Sequence, residues 1–368
     1  MNKQSKQNNE KNKKKMDNQL NQKELPLLSV IVRAFNIEKE LLDKCILSVV
    51  QQTYTNIEIM LVNNASTDDT GLYCDAWLQK DSRIKVLHSQ KGLRTLEILK
   101  HATGDYVHTL DHDDWIAPEM YANMMSAMLS TNSDIARCEF CKVYPDGRIE
   151  QRNIIPHTDG YEIISRKETV LLLMENKKWQ AYYWQNIYKR ELFDHYVPPK
   201  IKHAFGDIAK THYLFHLASK IVYLHDVYYF YYQRPGSIVN QKTKQGRKRR
   251  DYLRGNAIYA RYLFVKQYPE YHSILPTLKK EATVFSIFSL WDMIDYPQNF
   301  PENAYAEQVE RLKQFSLSLQ NGMYFVLNLD LFILKKLPRC YKFFYKLSYR
   351  NIRRIMPLRN YVLKKLSF

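Results

Sequence analysis

The chain has 368 residues, 45% hydrophobic and 25% charged, which allows a sizeable buried core and excludes a collagen-like or wholly disordered chain. Its net charge of +17 is unevenly placed: +4 over residues 1–25, +11 over 335–368, and +2 over the body between them. A near-neutral body argues against a nucleic-acid-binding domain, and only 10 glycines argue against phosphate cradles made of glycine-rich loops.

Residues 1–25 are rich in Asn, Lys and Gln and poor in apolar groups, so a disordered basic segment is expected there. The first 24 residues hold no apolar run of the kind a secretory signal needs, which points to a cytoplasmic, reducing setting. From Leu28 the pattern changes. Leu28–Val32 reads as a strand buried on both faces, and Leu41, Leu42, Cys45, Ile46 and Val49 then recur at helical spacing. Ile57–Val62 predicts a second strand, Thr67–Lys80 a helix capped by Thr67 or Asp68, Ile84–Leu87 a third strand, Arg94–Ala102 a helix ending at Gly104, and Tyr106–Leu110 a fourth strand. Strand and helix in alternation call for an α/β fold with a parallel sheet between helices. Further on, the pattern predicts a helix over Glu119–Ser130, a strand over Asp134–Val143, a turn at Tyr144–Arg148, helix over 165–195, a strand over Lys220–Tyr232, a polar linker at 241–250, and helices from Asp251 to Leu334. The five cysteines are scattered, and the single Cys138–Cys141 pair reads as buried thiols rather than half of a zinc or redox site.

Three predicted strands end in polar clusters: Arg33-Ala34-Phe35-Asn36, Asn63-Asn64-Ala65-Ser66 and Asp111-His112-Asp113-Asp114. In a parallel sheet all strand C-termini share one edge, and ligands bind in the crevice there. Three carboxylates within four residues repel one another unless a cation compensates, and hard oxygens suit Mg2+ or Mn2+ bridged to phosphate. The bland alternative is that Asp113 or Asp114 caps the helix that follows.

These residues resemble glycosyltransferase family 2, whose catalytic domain has the GT-A fold. The match runs over about residues 28–238, through Ser29–Asn36, Ser48–Tyr54, Ile57–Asp68, Ala102–Tyr106 and Leu110–Trp115. The resemblance implies a DxD pair at Asp111 and Asp113. There Asp113 would be the direct metal ligand and Asp111 a second ligand nearer the ribose. It puts Arg33, Asn36, Asn64 and His112 at the nucleotide-sugar, although the family pattern has Pro at 33 and Asp at 64. Arg94–Glu97 also departs from the family's Ala-Arg-Asn stretch. Phe205-Gly206-Asp207 resembles the family's Glu-Asp pair, with Asp207 on the general-base position. Tyr231–Ile238 resembles the segment closing the catalytic domain, with Arg234 near the diphosphate.

The activity implied is transfer of a hexosyl or N-acetylhexosaminyl group, with inversion, from a nucleotide-sugar (a UDP-sugar first) to an acceptor hydroxyl. A Mn2+ or Mg2+ cofactor and bacterial cell-surface polysaccharide synthesis go with it. Trp184, in the aromatic stretch Trp179–Tyr188, is the candidate to floor the acceptor site, since sugar rings stack on aromatic faces. The domain order expected is a basic segment 1–25, a GT-A-like domain 26–240, a helical region 241–334 and a basic amphipathic tail 335–368. The tail mixes Tyr, Phe, Leu and Ile with Lys and Arg, which suits an anionic membrane surface on the cytoplasmic face. Two rivals remain: a binding protein that has lost turnover, and a sugar-phosphate nucleotidyltransferase, whose glycine-rich loop after the first strand is missing here.

Overall fold

A computed structural model describes residues 25–151, 160–197, 206–234, 244–315, 325–337 and 340–352. The expected basic N-terminal segment, Phe205, Pro235–Ile238 and the end of the tail lie outside those residues. The chain divides into two compact units. The first takes the described residues up to Ile163, with Trp184–His195 and Val222–Tyr232. The second takes Ile164–Tyr183 and the described parts of Tyr196–Ile221 and Gln233–Phe368.

The strands are β1 (Leu28–Ala34), β2 (Ile57–Asn64), β3 (Ile84–Ser89), β4 (Tyr106–Asp111), β5 (Trp115–Ile116), β6 (Ile135–Val143), β7 (Ile149–Gln151), β8 (Tyr161–Ser165), β9 (Asn186–Lys189) and β10 (Lys220–Tyr232). They form one sheet in the order β3-β2-β1-β4-β9-β6-β10-β5, with β7 on β6 and β8 on β10. The first four are parallel neighbours. β9 is antiparallel to both β4 and β6, and β5 is antiparallel to β10. The fold is thus α/β: the alternation in the sequence gives the four parallel strands, and the antiparallel pairs of β9 and β5 make the sheet mixed. β1 and β2 are apolar on both faces because helices cover both, among them Lys39–Val50, which buries Leu42, Cys45, Ile46 and Val49.

Three sequence expectations are corrected. Residues 165–195 are not one helix: Arg166–Glu175 is helical, Asn176 ends it in the left-handed conformation, and Asn186–Lys189 becomes β9. Closely spaced aromatics fit a strand buried on both faces as well as a helix, and pairing with β4 and β6 decides for the strand. The linker expected at 241–250 is helical from Lys244, in the helix Lys244–Gln267. The N-cap before Thr70–Leu78 is Asp69, one or two residues later than expected.

Buried polar groups tie the first unit together. Glu58, at the start of β2, accepts hydrogen bonds from Ser29 Oγ (2.6 Å), Gly104 N (3.0 Å) and Lys85 Nζ (2.7 Å). Burial alone would push its pKa up, but Lys85, Ser29 and Thr103 outweigh that and hold it at about 2. The turn into β4 passes so close that a Cβ on Gly104 would lie 2.5 Å from Ser29 Oγ and 2.7 Å from Ser29 N. His108 on β4 is wholly buried between Tyr121 Oη (2.9 Å) and the Trp184 carbonyl (2.8 Å). Desolvation lowers its pKa to about 4, so it is a neutral donor to that carbonyl. Cys138 and Cys141 are buried, and an odd spacing along β6 turns them to opposite faces, which removes the pair from joint metal binding.

In the second unit, Gly255 lets the helices Lys244–Gln267 and Leu275–Asp295 approach closely: a Cβ there would lie 2.9 Å from Phe285 Cβ. Arg261 Nε donates to the Ile208 carbonyl (2.7 Å) in the first turn of the helix Gly206–Leu217. Among the described residues no helix is long and apolar enough to cross a membrane.

A buried neutral histidine links stability to pH. Its folded pKa lies below its unfolded value near 6.5, so its contribution is complete above about pH 6.5 and is lost as pH falls towards 4. Glu58 adds a second loss below its unfolded pKa of 4.5. Thermal melts should show a Tm that falls from pH 6.5 to 4.5, and His108→Gln should flatten that slope. An unchanged slope in the variant would remove His108 from the explanation.

Candidate active site

The strand register assembles the site. Arg33 on β1 lies opposite Asp111 on β4 and Val62 on β2, and Ala34 lies opposite Asn63. At ordinary strand spacing the ends of β2 and β4 are about 10 Å apart across β1. The three polar clusters therefore share one rim of the sheet.

The β1 and β2 loops are clasped. Asn36 adopts φ 43°, a left-handed conformation that asparagine tolerates. Its Oδ1 accepts from Thr67 N (2.9 Å), its Nδ2 donates to Thr67 Oγ1 (3.2 Å), and its backbone N donates to Ser66 Oγ (3.3 Å). Opposite it, Ala65 has φ 68°, a conformation that normally costs a residue with a Cβ about 1–2 kcal/mol. Strain of this kind is kept where the surroundings over-determine it, often at ligand sites. Asn64 Oδ1 accepts from Leu93 N (2.6 Å) in the loop beyond β3, so the Asn64 amide nitrogen is the group it can offer a ligand.

Three carboxylates follow Leu110, each with different surroundings. Asp114 is buried and accepts from Tyr229 Oη (2.6 Å) and Tyr232 N (2.7 Å), which pins the loop to β10; burial and its two acidic neighbours raise its pKa. Asp111 also has a raised pKa, first through desolvation and then through Asp113, while Arg33 and His112 pull it down. His112 Nδ1 donates to the Arg33 carbonyl (2.8 Å), and its Nε2 is buried without a partner among the described residues. The following helix, Met120–Thr131, has Glu119 at its N-cap position without a side-chain cap bond, so neither Asp113 nor Asp114 is its N-cap.

Asp113 raises the proton affinity of Asp111, and a pair of carboxylates so placed fits a divalent cation. Among the described residues no group of three or more His, Cys, Asp and Glu side chains closes round one. A metal at Asp111 and Asp113 would draw its remaining ligands from phosphate and water, the pattern favoured by Mg2+.

Trp184 lies inside the sheet's aromatic stack at 3% exposure. Tyr229 covers one face (3.9 Å between ring centres, 16° between planes) and Phe140 meets it edge-on at 5.1 Å. Its ring is packed in the core, where it props the tyrosine that holds Asp114. Tyr229 and His108 were not singled out in the sequence, because their partners come from distant segments. Asp207 is in the first turn of the helix Gly206–Leu217 in the second unit, and Arg234 is in that unit too, just after β10.

Residues 29–207 match the family model described as Glycosyl transferase family 2. Glycosyltransferase GlyG of Streptococcus pneumoniae serotype 4 is 30% identical over 229 residues, 58% of this chain and 73% of that protein. The uncharacterized glycosyltransferase YibD of Escherichia coli K12 is 26% identical over 267 residues, 67% of this chain and 75% of its own length. Among solved structures, S. aureus TarS 1–349 in complex with UDP-GlcNAc resembles this chain with a TM-score of 0.53 at 18% identity, over 85% of this chain and 91% of that one. At that identity the likeness shows the fold alone, and that fold is the one a family 2 member requires.

Tyr229→Phe removes the hydroxyl bonded to Asp114 and keeps the ring on Trp184. A buried acceptor short of one donor should lower stability by about 1–3 kcal/mol in urea unfolding. A loss below about 0.5 kcal/mol, the range of neutral surface changes, would mean that the Asp114 clamp contributes little.

Proposed function

The chain belongs to glycosyltransferase family 2, and from that premise we propose that it is an inverting transferase that moves a sugar from a nucleotide-sugar to an acceptor hydroxyl. The observation that carries this reading is the pair Asp111 and Asp113 on the rim that Arg33 and the clasped Asn36–Thr67 loops share. A UDP-sugar is the first candidate donor. The Asn64 amide can donate to a base carbonyl where an ionised aspartate can only accept, and uracil presents such carbonyls. Asn36 supports the pocket by holding its wall, and His112 by fixing the backbone at Arg33. Arg234, just after β10, is the candidate to meet the diphosphate. Trp184 takes the supporting place described above in preference to an acceptor floor.

In the displacement, the acceptor oxygen bonds to the anomeric carbon as the bond from that carbon to the diphosphate oxygen breaks. Asp207 takes the acceptor's proton. A carboxylate in a first helical turn is favoured in its ionised form, which is the form a base needs. General-base catalysis of this kind contributes ~10²–10⁴ in rate. A Mn2+ or Mg2+ ion bound at Asp111 and Asp113 would supply Lewis-acid stabilisation to the departing diphosphate.

Cell-surface glycan synthesis at the inner face of the membrane is the setting that best suits the tail. Phe332, Leu337 and Phe343 are exposed beside exposed Lys335, Lys336, Lys342 and Lys346. Apolar rings among cations suit peripheral binding to anionic lipid.

Thermal-shift titration with UDP and UDP-sugars in Mn2+ should raise Tm, as ligands of the folded state do. Asp207→Asn should keep that shift and lose ~10²–10⁴ in nucleoside diphosphate release; release at the wild-type rate would remove Asp207 as the base. Deleting 335–368 should abolish sedimentation with phosphatidylserine vesicles and leave the nucleotide shift intact. Unchanged sedimentation would exclude the tail as the lipid contact.

A further inference from the structure

Arg33 carries a charge that the site does not neutralise. Its guanidinium makes no hydrogen bond or ion pair with any described residue, although its carbonyl is engaged by His112. The register sets it opposite Asp111, so two side chains one strand apart leave the same face of a parallel pair. No ion pair closes between the two side chains. An arginine this close to a carboxylate ordinarily folds onto it in a bidentate pair. Here the guanidinium is instead held at the rim, half-buried, with its donors available.

A guanidinium presents a planar fork of donors that matches a phosphate and stays charged at every working pH. Next to it, Asp111 and Asp113 repel any diphosphate that approaches the rim, so donor binding in this fold needs positive charge from somewhere. The sequence pattern that this chain resembles has an uncharged proline at position 33, which leaves that requirement to an exchangeable metal ion. Arginine there is a fixed positive charge built into β1.

We propose that the Arg33 guanidinium is a resident anion subsite for the diphosphate of the donor, so that this chain binds nucleoside diphosphates without a divalent cation. The inference rests on the donor-site reading given above and goes beyond it by assigning Arg33 to the diphosphate. It assigns two separate sources of positive charge to the same ligand group. Binding that uses Arg33 is expected to weaken with added salt and to survive chelation; binding that uses the carboxylate pair is expected to require the metal.

The test is calorimetric titration of the full chain with UDP and, separately, inorganic pyrophosphate. Each is run in EDTA and in Mn2+, on wild type, Arg33→Met and Arg33→Lys. Melting curves of the ligand-free variants check that each is folded. The expected result is that wild type binds both probes in EDTA, Arg33→Met weakens that binding at least tenfold, and Arg33→Lys, a point charge without the fork, recovers part of it. In Mn2+ the same Arg33→Met change should weaken UDP binding by less than threefold. Wild-type binding of UDP only in Mn2+, or equal binding by wild type and Arg33→Met in EDTA, overturns the inference and leaves the donor-site reading standing. No binding of UDP under either condition overturns the UDP-donor reading itself.

Discussion

Electrostatic repulsion at the end of β4 is what the surrounding architecture has to manage. Asp111, Asp113 and Asp114 fall within four residues, and nothing about the local chain separates their charges. The fold treats them differently. Asp114 is drawn into the interior, where a tyrosine hydroxyl and a backbone N–H from β10 accept its burial. Asp111 stays at the rim against Arg33 and His112. One carboxylate thus serves as an anchor and two remain grouped at the rim. The long β10, the stack of Tyr229 on Trp184 and the histidine that holds the Trp184 carbonyl are all parts of that anchor.

Much of the first unit was legible in the sequence because its signals are local. The apolar runs of β1, β2 and β4, the helices between them and the polar clusters after them lie in chain order, and a parallel sheet can place such clusters only along one rim. What escaped was set by pairing across distance. The four residues of β9 gain their strand identity from β4 and β6, more than 40 residues away in sequence, while the closely spaced aromatics around them are neutral between strand and helix. Trp184 looked like a sugar platform because large aromatics often are; its role follows from Tyr229, 45 positions later in the chain, which no periodicity could have paired with it.

The second unit shows the same division. Its helices were readable from 3.6-residue periodicity, but the attachment of Arg261 to the first turn of the helix that carries Asp207 depends on how two helices pack. Small residues set that packing. Ala209, Ala257 and Ala260 form a buried cluster between those helices, and Gly255 leaves room for Phe285 on the next. A charged residue on a helix face suggests solvent when read alone, and only the assembled unit shows Arg261 to be buried.

The clasp between Asn36 and Thr67 has a consequence for changing this protein's ligand preference. Both ends of the Asn36 carboxamide are committed to the neighbouring loop, and that loop in turn holds Ala65 in a left-handed bend. The two segments are therefore one mechanical piece encoded 30 residues apart. Grafting only one of them from a relative would leave unmatched amide groups and release the bend, so recombination at this wall has to transplant 33–37 and 63–67 together.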